Sequence, residues 1–205
     1  MTLWEQIKNM AEQSANRCVI CEGNIERGAK EIAGLNFTEE SVLGTIIANT
    51  CGIVADKWIY VLGQSCDEHA GVADFPERIG QEFPDMLVVA TDIVGGLFAL
   101  NGGRFAEEVG KVWYFAPDTI QWEPLGFKYS EFIAWACQGN LSEFYGNVRW
   151  TRWERDAESI DGFNKGFSIY PFLWAKECDI ETASKKAVPL AELVGMNMDF
   201  EKRMN

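Results

Sequence analysis

Residues 86–137 read MLVVATDIVGGLFALNGGRFAEEVGKVWYFAPDTIQWEPLGFKYSEFIAWAC, and this stretch decides the fold. It contains three short apolar runs, Met86 to Ala90, Leu97 to Leu100 and Val109 to Phe115, separated by glycine pairs and Asn-Gly. An amphipathic helix follows from about Tyr129. This pattern is typical of a strand meander that leads into a covering helix. The sequence therefore predicts an α+β fold with an antiparallel-type central sheet covered by helices.

The glycine pairs between these runs, Gly95-Gly96 and Gly102-Gly103, predict tight hairpin turns, because glycine adopts positive φ at little cost. A glycine-rich phosphate cradle is the alternative, and it requires a helix that opens directly after the loop. Here a strand follows each pair, so the sequence argues against phosphate binding.

Length and charge limit the possible classes of protein. A chain of 205 residues is expected to form one domain, in which a helical N-terminal appendage (1–35) packs on a core (36–195). The net charge of −13 disfavours direct nucleic-acid binding and favours a basic protein partner. An acidic surface that merely aids solubility is the simpler explanation. The oligomeric state stays open.

Neither a signal peptide nor a membrane span is predicted. The start MTLWEQIKNM carries Glu5 and Lys8 where a signal peptide would be apolar. No segment approaches the roughly 20 apolar residues that cross a bilayer. The sequence therefore predicts a cytoplasmic protein, in which the six cysteines would be mostly thiols.

Several elements outside the central stretch have clear local signals. Thr38 is predicted to cap a helix that ends at Gly52, and 57–62 (KWIYVL) reads as a strand. The segment 18–21 (CVIC) reads as a short β-like run. The tail from Asp199 is expected to be frayed.

Two close pairs, Cys18-x2-Cys21 and Cys66-x2-His69, have the spacing of zinc ligands. The sequence does not decide whether they approach one another, and small core thiols are the simpler reading. No metal site is predicted. His69 is expected to be a solvated loop residue rather than part of a catalytic triad.

No catalytic or cofactor motif is present, so no catalytic residue and no cofactor is predicted. Binding groups often lie on loops of a rigid sheet. The candidate site for a ligand or partner therefore comprises turn and strand-end residues: Asp92, Asn101, Arg104, Asp118 and Trp122. The alternative is that these residues only form turns.

The segment 149–155 (RWTRWER) interleaves arginine with tryptophan. It could be a stacking surface for a base or sugar. The pattern fits better an amphipathic element with buried tryptophans and with arginines paired to carboxylates.

The run LVVATDIVGGLFALNGG…GKVWYFAPDTIQWEPLGFKYSEFIAWA resembles the core of the SUKH superfamily. More closely, VLGTIIANTCGI, WIYVLGQ, VGGLFALNGG, YFAPDTIQWEPLG, YSEFIAWA and YPFLW resemble a bacterial family known only as a domain of unknown function. The SUKH resemblance implies a sheet covered by helices and a scaffold that binds proteins, notably as immunity proteins against toxins. The closer family implies no activity.

These observations favour a non-enzymatic, SUKH-like binding protein with a basic partner, and a toxin-immunity protein is one form that it could take. The alternative is an enzyme or a binder of a small polar or glycan ligand, in a pocket lined by Trp113, Trp122 and carboxylates.

Overall fold

A computed structural model describes residues 1–204, and its main feature is a seven-stranded antiparallel sheet with the strand order β1 to β7. Every strand pairs with its neighbours in the chain, so the sheet is a continuous meander. The strands are β1 (Val19–Glu22), β2 (Thr50–Ala55), β3 (Ile59–Leu62), β4 (Met86–Asp92), β5 (Leu97–Asn101), β6 (Val112–Ala116) and β7 (Gln121–Pro124). The predicted α+β fold with an antiparallel meander is confirmed.

Eight helices and a separate hairpin complete the described chain. The hairpin consists of β8 (Lys165–Tyr170) and β9 (Ser184–Pro189). The helices are α1 (Leu3–Glu12), α2 (Ile25–Gly34), α3 (Val42–Asn49), α4 (Phe75–Ile79), α5 (Tyr129–Gln138), α6 (Leu141–Phe144), α7 (Trp153–Ala157) and α8 (Leu190–Met204). Helices α1, α3 and α5 contact one another, whereas α8 contacts α4 and the hairpin.

The central strands are buried on both faces, which explains their continuous apolar runs. All residues of β3 and β6 are buried, and only Leu87 of β4 and Leu100 of β5 are partly exposed. The predicted helix α5 covers one face, where Phe132 packs against Phe98 with ring centroids 4.9 Å apart. The buried centre of the sheet is therefore the stretch from which the fold was predicted.

Strand β2 was missed by the sequence reading, which extended a helix to Gly52. The helix α3 ends at Asn49, and Gly52 lies inside the strand, opposite Leu62. A side chain at position 52 would meet the Val61 carbonyl oxygen at 2.5 Å and the Phe163 ring at 2.6 Å. This glycine thus permits close packing rather than stopping a helix.

The N-terminal cap of α3 is Ser41, so the predicted Thr38 cap is wrong. Ser41 Oγ accepts a hydrogen bond from the Gly44 N–H at 3.0 Å. The same hydroxyl donates to the Thr38 carbonyl oxygen at 3.0 Å, which places Thr38 in the turn before the helix. Glu39 and Glu40 therefore precede the helix instead of lying in its first turn.

We expect Ser41→Ala to lower the free energy of unfolding by about 1 kcal/mol, because the Gly44 N–H loses its acceptor. Urea unfolding of the native protein and the variant measures this difference. Thr38→Ala is the matched control and should stay within about 0.5 kcal/mol of the native protein. Equal losses in the two variants would contradict the assignment of the cap.

The N-terminal segment agrees with its local predictions, whereas the C-terminal tail does not. Segment 1–35 contains α1 and α2 and also β1, the edge strand that pairs with β2 and overlaps the predicted β-like run 18–21. The tail from Asp199, expected to fray, continues α8 to Met204. Phe200 holds this last part of the helix, since its ring packs 5.0 Å from that of Phe172.

Candidate functional site

Asp92 forms a closed hydrogen-bond network at the turn between β4 and β5. Its Oδ1 accepts from the N–H groups of Val94 (3.0 Å) and Gly96 (2.8 Å), and its Oδ2 accepts from the hydroxyls of Tyr114 (2.7 Å) and Tyr145 (3.2 Å). The residue is fully buried, and this burial raises the pKa of the carboxyl despite the four donors. A carboxyl that is closed off in this way organises the turn.

Asn101 organises the loop at the opposite end of β5. Its Nδ2 donates to the carbonyl oxygens of Phe105 and Glu107, both at 2.8 Å. Its Oδ1 accepts from the N–H groups of Gly103 (2.9 Å) and Phe105 (3.2 Å). Because this buried amide makes four hydrogen bonds within its own loop, it holds the shape of the loop.

Arg104 lies on the same loop and is partly open to solvent. Its Nη2 forms an ion pair with Glu201 of α8 at 2.8 Å, and its guanidinium lies 5.7 Å from the Trp122 ring. Arg104 borders an open, largely polar cleft of about 760 Å³, formed with residues of α8 and of the segment 80–85.

The expected pocket lined by tryptophans is filled. Trp122 and Trp113 are only 9% and 7% exposed, and the Phe105 ring stacks on Trp113 at 4.0 Å. Both indole rings therefore belong to the packed core and leave no open aromatic pocket between them. That the protein is an enzyme or binds a small ligand stays a hypothesis, but the pocket proposed for it between these two tryptophans is absent.

The sheet separates the five predicted site residues instead of bringing them together. Asp92 is the last residue of β4 and Asp118 lies in the β6–β7 turn, both at one end of the sheet. Asn101 is the last residue of β5 and Arg104 lies in the loop that follows, at the other end, with Trp122 beneath Arg104. Asp118 borders a cavity of about 480 Å³ with residues 147–148, 173 and 178–180. No single site contains all five, and their role in binding stays a prediction.

His69 was expected to be solvated, and this prediction is wrong. The imidazole is 8% exposed and stacks on the Phe163 ring at 3.9 Å and 5°. Its Nδ1 lies 3.0 Å from the Ala70 carbonyl oxygen, which favours the Nδ1–H tautomer. The residue therefore fills a space between the loop and the segment that follows α7.

The zinc-like spacing does not produce a cluster of ligands. The Cys18 Sγ lies 3.5 Å from the Cys137 Sγ, while the Cys66 Sγ lies 3.6 Å from the His69 carbonyl oxygen. Within residues 1–204, no three histidine, cysteine or acidic side chains are placed to hold a metal ion.

Arg149 occupies a box of aromatic rings. Its Cζ lies 4.0 Å from the Trp153 ring, 4.8 Å from Trp58 and 5.3 Å from Tyr145. Its Nη1 forms an ion pair of 2.9 Å with Asp56, and the arginine side chain is 8% exposed. Burial lowers the pKa of Arg149, yet guanidinium stays charged in proteins. This cationic centre ties the 149–155 segment to the turn between β2 and β3.

The 149–155 segment follows the packing alternative rather than the stacking surface. Trp150 is 4% exposed, and Arg149 is paired with a carboxylate, as that alternative predicts, whereas Arg152 and Arg155 are exposed. Trp153 is half-buried against Trp58, with ring centroids 5.3 Å apart. The rings thus face inward and are not presented to a ligand.

Three aromatic side chains near the end of β8 line an open groove, which we call the aromatic groove. Phe172 and Trp174 stack at 5.4 Å and 13°, and Phe200 of α8 packs on both. Tyr170 is 67% exposed and packs edge-on against Phe172 at 5.8 Å. The groove has a volume of about 580 Å³ and is lined by Tyr170, Pro171, Phe172, Trp174, Ala175, Lys176 and Glu177.

The sequence analysis quoted YPFLW, residues 170–174, only for a family resemblance and assigned no site to it. A usable signal was present in the sequence. The strand alternation ends at Tyr170, and the next four residues, 171–174 (PFLW), are all apolar. Such a run after a strand cannot bury all its side chains on one face. Phe200, which packs on Phe172 and Trp174, carries no local signal of this role.

A family model described as "Protein of unknown function DUF2625" matches residues 2–193, almost the whole chain. The chain belongs to the DUF2625 family. The predicted membership of a bacterial family of unknown function is thereby confirmed. The family description states no function, so the resemblance to the SUKH superfamily stays a prediction.

Two uncharacterized bacterial proteins are similar to this DUF2625 chain over most of their length. YbfG of Escherichia coli strain K12 is 33% identical over 203 residues, which cover 97% of this chain and 92% of YbfG. A protein of Haemophilus influenzae strain Rd is 31% identical over 176 residues, covering 83% of this chain and 77% of the relative. No solved structure matches the chain. Among residues 1–204, no helix is long and apolar enough to cross a membrane.

Proposed function

We propose that this protein is a non-catalytic binding protein that docks a segment of a basic protein partner in the aromatic groove. The segment would place an apolar or aromatic side chain against Tyr170, Phe172 and Trp174. Its lysine or arginine residues would face the carboxylates around the groove. The observation that carries the proposal is the exposed aromatic groove itself.

The shape and chemistry of the groove support protein binding. Large aromatic side chains dominate binding energy at protein interfaces because they bury much area at low entropic cost. Phe172 and Trp174 are held by Phe200, so these two rings are ordered before a partner arrives. Preorganised rings lose little conformational freedom on binding.

Charge around the groove supports a basic partner. Glu177 lines the groove, Asp179 is exposed two residues further along, and Asp199 is exposed next to Phe200. Lys176 is the basic residue of the lining, and the chain as a whole carries a charge of −13. Complementary charge would speed association and select against acidic partners.

Two of the predicted site residues, Asp92 and Asn101, are too enclosed to act on a substrate, which agrees with a non-catalytic protein. Asp92 and Asn101 are 0% and 1% exposed, and both use their side-chain atoms in hydrogen bonds within their own turns. Neither can reach a substrate without local unfolding. The SUKH resemblance of residues 86–137, which implies a protein-binding scaffold, agrees with the same proposal.

The test is a selection of displayed random heptapeptides on the purified protein, with counter-selection on the variant Tyr170→Ala. We expect enriched peptides to combine an aromatic or proline residue with lysine or arginine. Synthetic versions should bind the native protein about tenfold more tightly than the variant, because one aromatic anchor is removed. Their affinity should fall as salt is raised, since exposed charges are screened. Isothermal titration calorimetry measures both effects.

Ile25→Ala is the matched control, because Ile25 of α2 is an apolar side chain that is 79% exposed. This variant should bind the selected peptides as the native protein does. Failure to enrich peptides, or equal binding to the native protein and Tyr170→Ala, would contradict the proposed role of the groove. Enrichment of acidic peptides would contradict the charge of the partner.

A further inference from the structure

Two cysteines that are far apart in the sequence meet between the start of β1 and the end of α5. Cys18 precedes β1 and Cys137 lies in the last turn of α5, with their Sγ atoms 3.5 Å apart. Cys18 is partly exposed, whereas Cys137 is only 2% exposed. One thiol of this pair can therefore be reached from solvent, and the other lies directly behind it.

The backbone around the pair is held in place by hydrogen bonds that do not involve the thiols. Asn16 Nδ2 donates to the carbonyl oxygens of Ala136 (2.9 Å) and Gly139 (3.0 Å). The Asn16 N–H donates to the Cys137 carbonyl oxygen at 3.2 Å. The Cys18 N–H donates to Ser14 Oγ at 2.7 Å. The segment 14–18 is thus docked on the end of α5, and the two thiols approach each other because of this docking.

The environment favours ionisation of the exposed thiol. A hydrogen bond with the Cys137 thiol lowers the pKa of Cys18 in spite of partial burial. The same hydrogen bond, together with burial, raises the pKa of Cys137. Because the thiolate is the nucleophile in thiol–disulfide exchange, Cys18 would react first and Cys137 second.

The remaining cysteines lack this combination. Burial raises the pKa of Cys21, and it raises that of Cys51 to about 11. Cys66 is buried, with its Sγ 3.6 Å from the His69 carbonyl oxygen. Burial also raises the pKa of Cys178, which is partly exposed. A second close pair exists, because the partly exposed Cys51 is hydrogen-bonded to the buried Cys66, but burial and the Cys66 thiol raise the pKa of Cys51. The pair at the end of α5 is distinguished by the 3.5 Å approach of its Sγ atoms together with the lowered pKa of Cys18.

We propose that Cys18 and Cys137 form a reversible disulfide by exchange with a low-molecular-weight disulfide such as oxidised glutathione. The Cys18 thiolate attacks one sulfur of the small disulfide, and the other half leaves as a thiolate that takes up a proton. Cys137 then loses its proton and attacks the Cys18 sulfur, which releases the second small thiol. Two protein thiols are oxidised to one disulfide while one small disulfide is reduced to two thiols.

The disulfide would cross-link the N-terminal segment to α5, and all seven strands of the central sheet lie between the two cysteines in the sequence. The two residues are 119 positions apart, so the bond would close a long loop of chain. A long closed loop restricts the unfolded state and so favours the folded one. Oxidation is therefore expected to raise the midpoint of thermal unfolding, and reduction to reverse the change.

The test equilibrates the full chain with excess oxidised glutathione, quenches with acid and alkylates the unfolded protein. Intact mass should show that the number of alkylated thiols falls by two from the six of the reduced chain. Peptide mapping should join the peptides that carry Cys18 and Cys137. Added reductant should restore all thiols.

Three variants separate the steps. Cys137→Ser should trap glutathione on Cys18 as a mixed disulfide, whereas Cys18→Ser should leave Cys137 unmodified. Cys178→Ser is the matched control and should still form the disulfide. Retention of all six thiols in the native chain, a stable mixed disulfide on native Cys18, or a bridge between other cysteines would overturn the proposal. Mapping of the native chain gives the answer even where a variant fails to fold.

Discussion

Replacing Arg149 by alanine is expected to lower the free energy of unfolding by about 3 kcal/mol or more. The substitution removes the guanidinium that contacts the Trp153 and Trp58 rings, at 4.0 and 4.8 Å. It also leaves Asp56, whose side chain is 11% exposed, with Arg17 as its remaining ion-pair partner. Urea unfolding monitored by tryptophan fluorescence measures the loss.

Two further variants resolve the contributions of charge and stacking. Arg149→Lys keeps the positive charge but loses the planar stacking, so we expect about half of the loss. Combining Asp56→Ala with Arg149→Ala gives a double-mutant cycle, in which the two single losses should not add. The exposed Arg155 of α7 is the matched control, and Arg155→Ala should change stability by less than about 0.5 kcal/mol. A loss below about 1 kcal/mol for Arg149→Ala would contradict a structural role for the aromatic box.

Asp92→Ala should cost about 3 kcal/mol, because four buried donors lose their acceptor at once. Two of these donors are backbone N–H groups in the β4–β5 turn, and two are the hydroxyls of Tyr114 and Tyr145. Asp92→Asn should cost less, since an amide oxygen still accepts from the turn and the amide nitrogen can donate to the hydroxyls. Denaturant unfolding of both variants at one pH measures the difference.

The same carboxyl should make stability depend on pH in a definite direction. Burial raises the pKa of Asp92 in the folded protein above the value of about 3.9 expected in the unfolded chain. The folded state therefore keeps the proton at pH values where the unfolded state has lost it, so stability falls as pH rises through this window. The free energy of unfolding of the native protein, minus that of Asp92→Asn, should decrease from about pH 4 upward. Other titrating groups cancel in this difference.

Asp118 provides the control for both experiments on Asp92. It lies in the neighbouring turn at the same end of the sheet but is partly exposed. Asp118→Ala should change the free energy of unfolding by less than about 0.5 kcal/mol. A native-minus-Asp92→Asn difference that rises with pH would show that the hydrogen bonds outweigh burial. Equal losses of unfolding free energy in Asp92→Ala and Asp118→Ala would contradict the proposal that the buried hydrogen-bond network stabilises the fold.

The central meander was predictable because its signals are local. Each apolar run from Met86 to Phe115 is bounded by glycine or Asn-Gly. Such runs can be predicted as buried strands without knowing which strand each one pairs with. The helix from Tyr129 is likewise set by its own periodicity. Strand β2 was missed because a glycine after an apolar helical stripe indicates the end of a helix, which hid the β-branched residues Thr50, Ile53 and Val54. Its conformation is imposed by pairing with β1 on one side and β3 on the other.

The sites depend on contacts between distant parts of the chain. From the sequence, Asp92 and Asn101 could be proposed as strand-end residues, but only the sheet places them at opposite ends and encloses both. His69 is buried because the Phe163 ring stacks on it. The residues next to His69 in the sequence do not predict that contact. Local patterns carry no information about such pairs.

The sequence by itself determined the α+β class, the antiparallel meander, the helix that covers it and the acidic character of the surface. Only the tertiary structure brought Phe200 against Phe172 to form the aromatic groove, and Cys18 against Cys137 to form a thiol pair. The physical reason is that strand and helix signals arise from backbone preference and side-chain periodicity over a few residues. A groove or a thiol pair arises from packing across the whole fold, which those preferences do not specify.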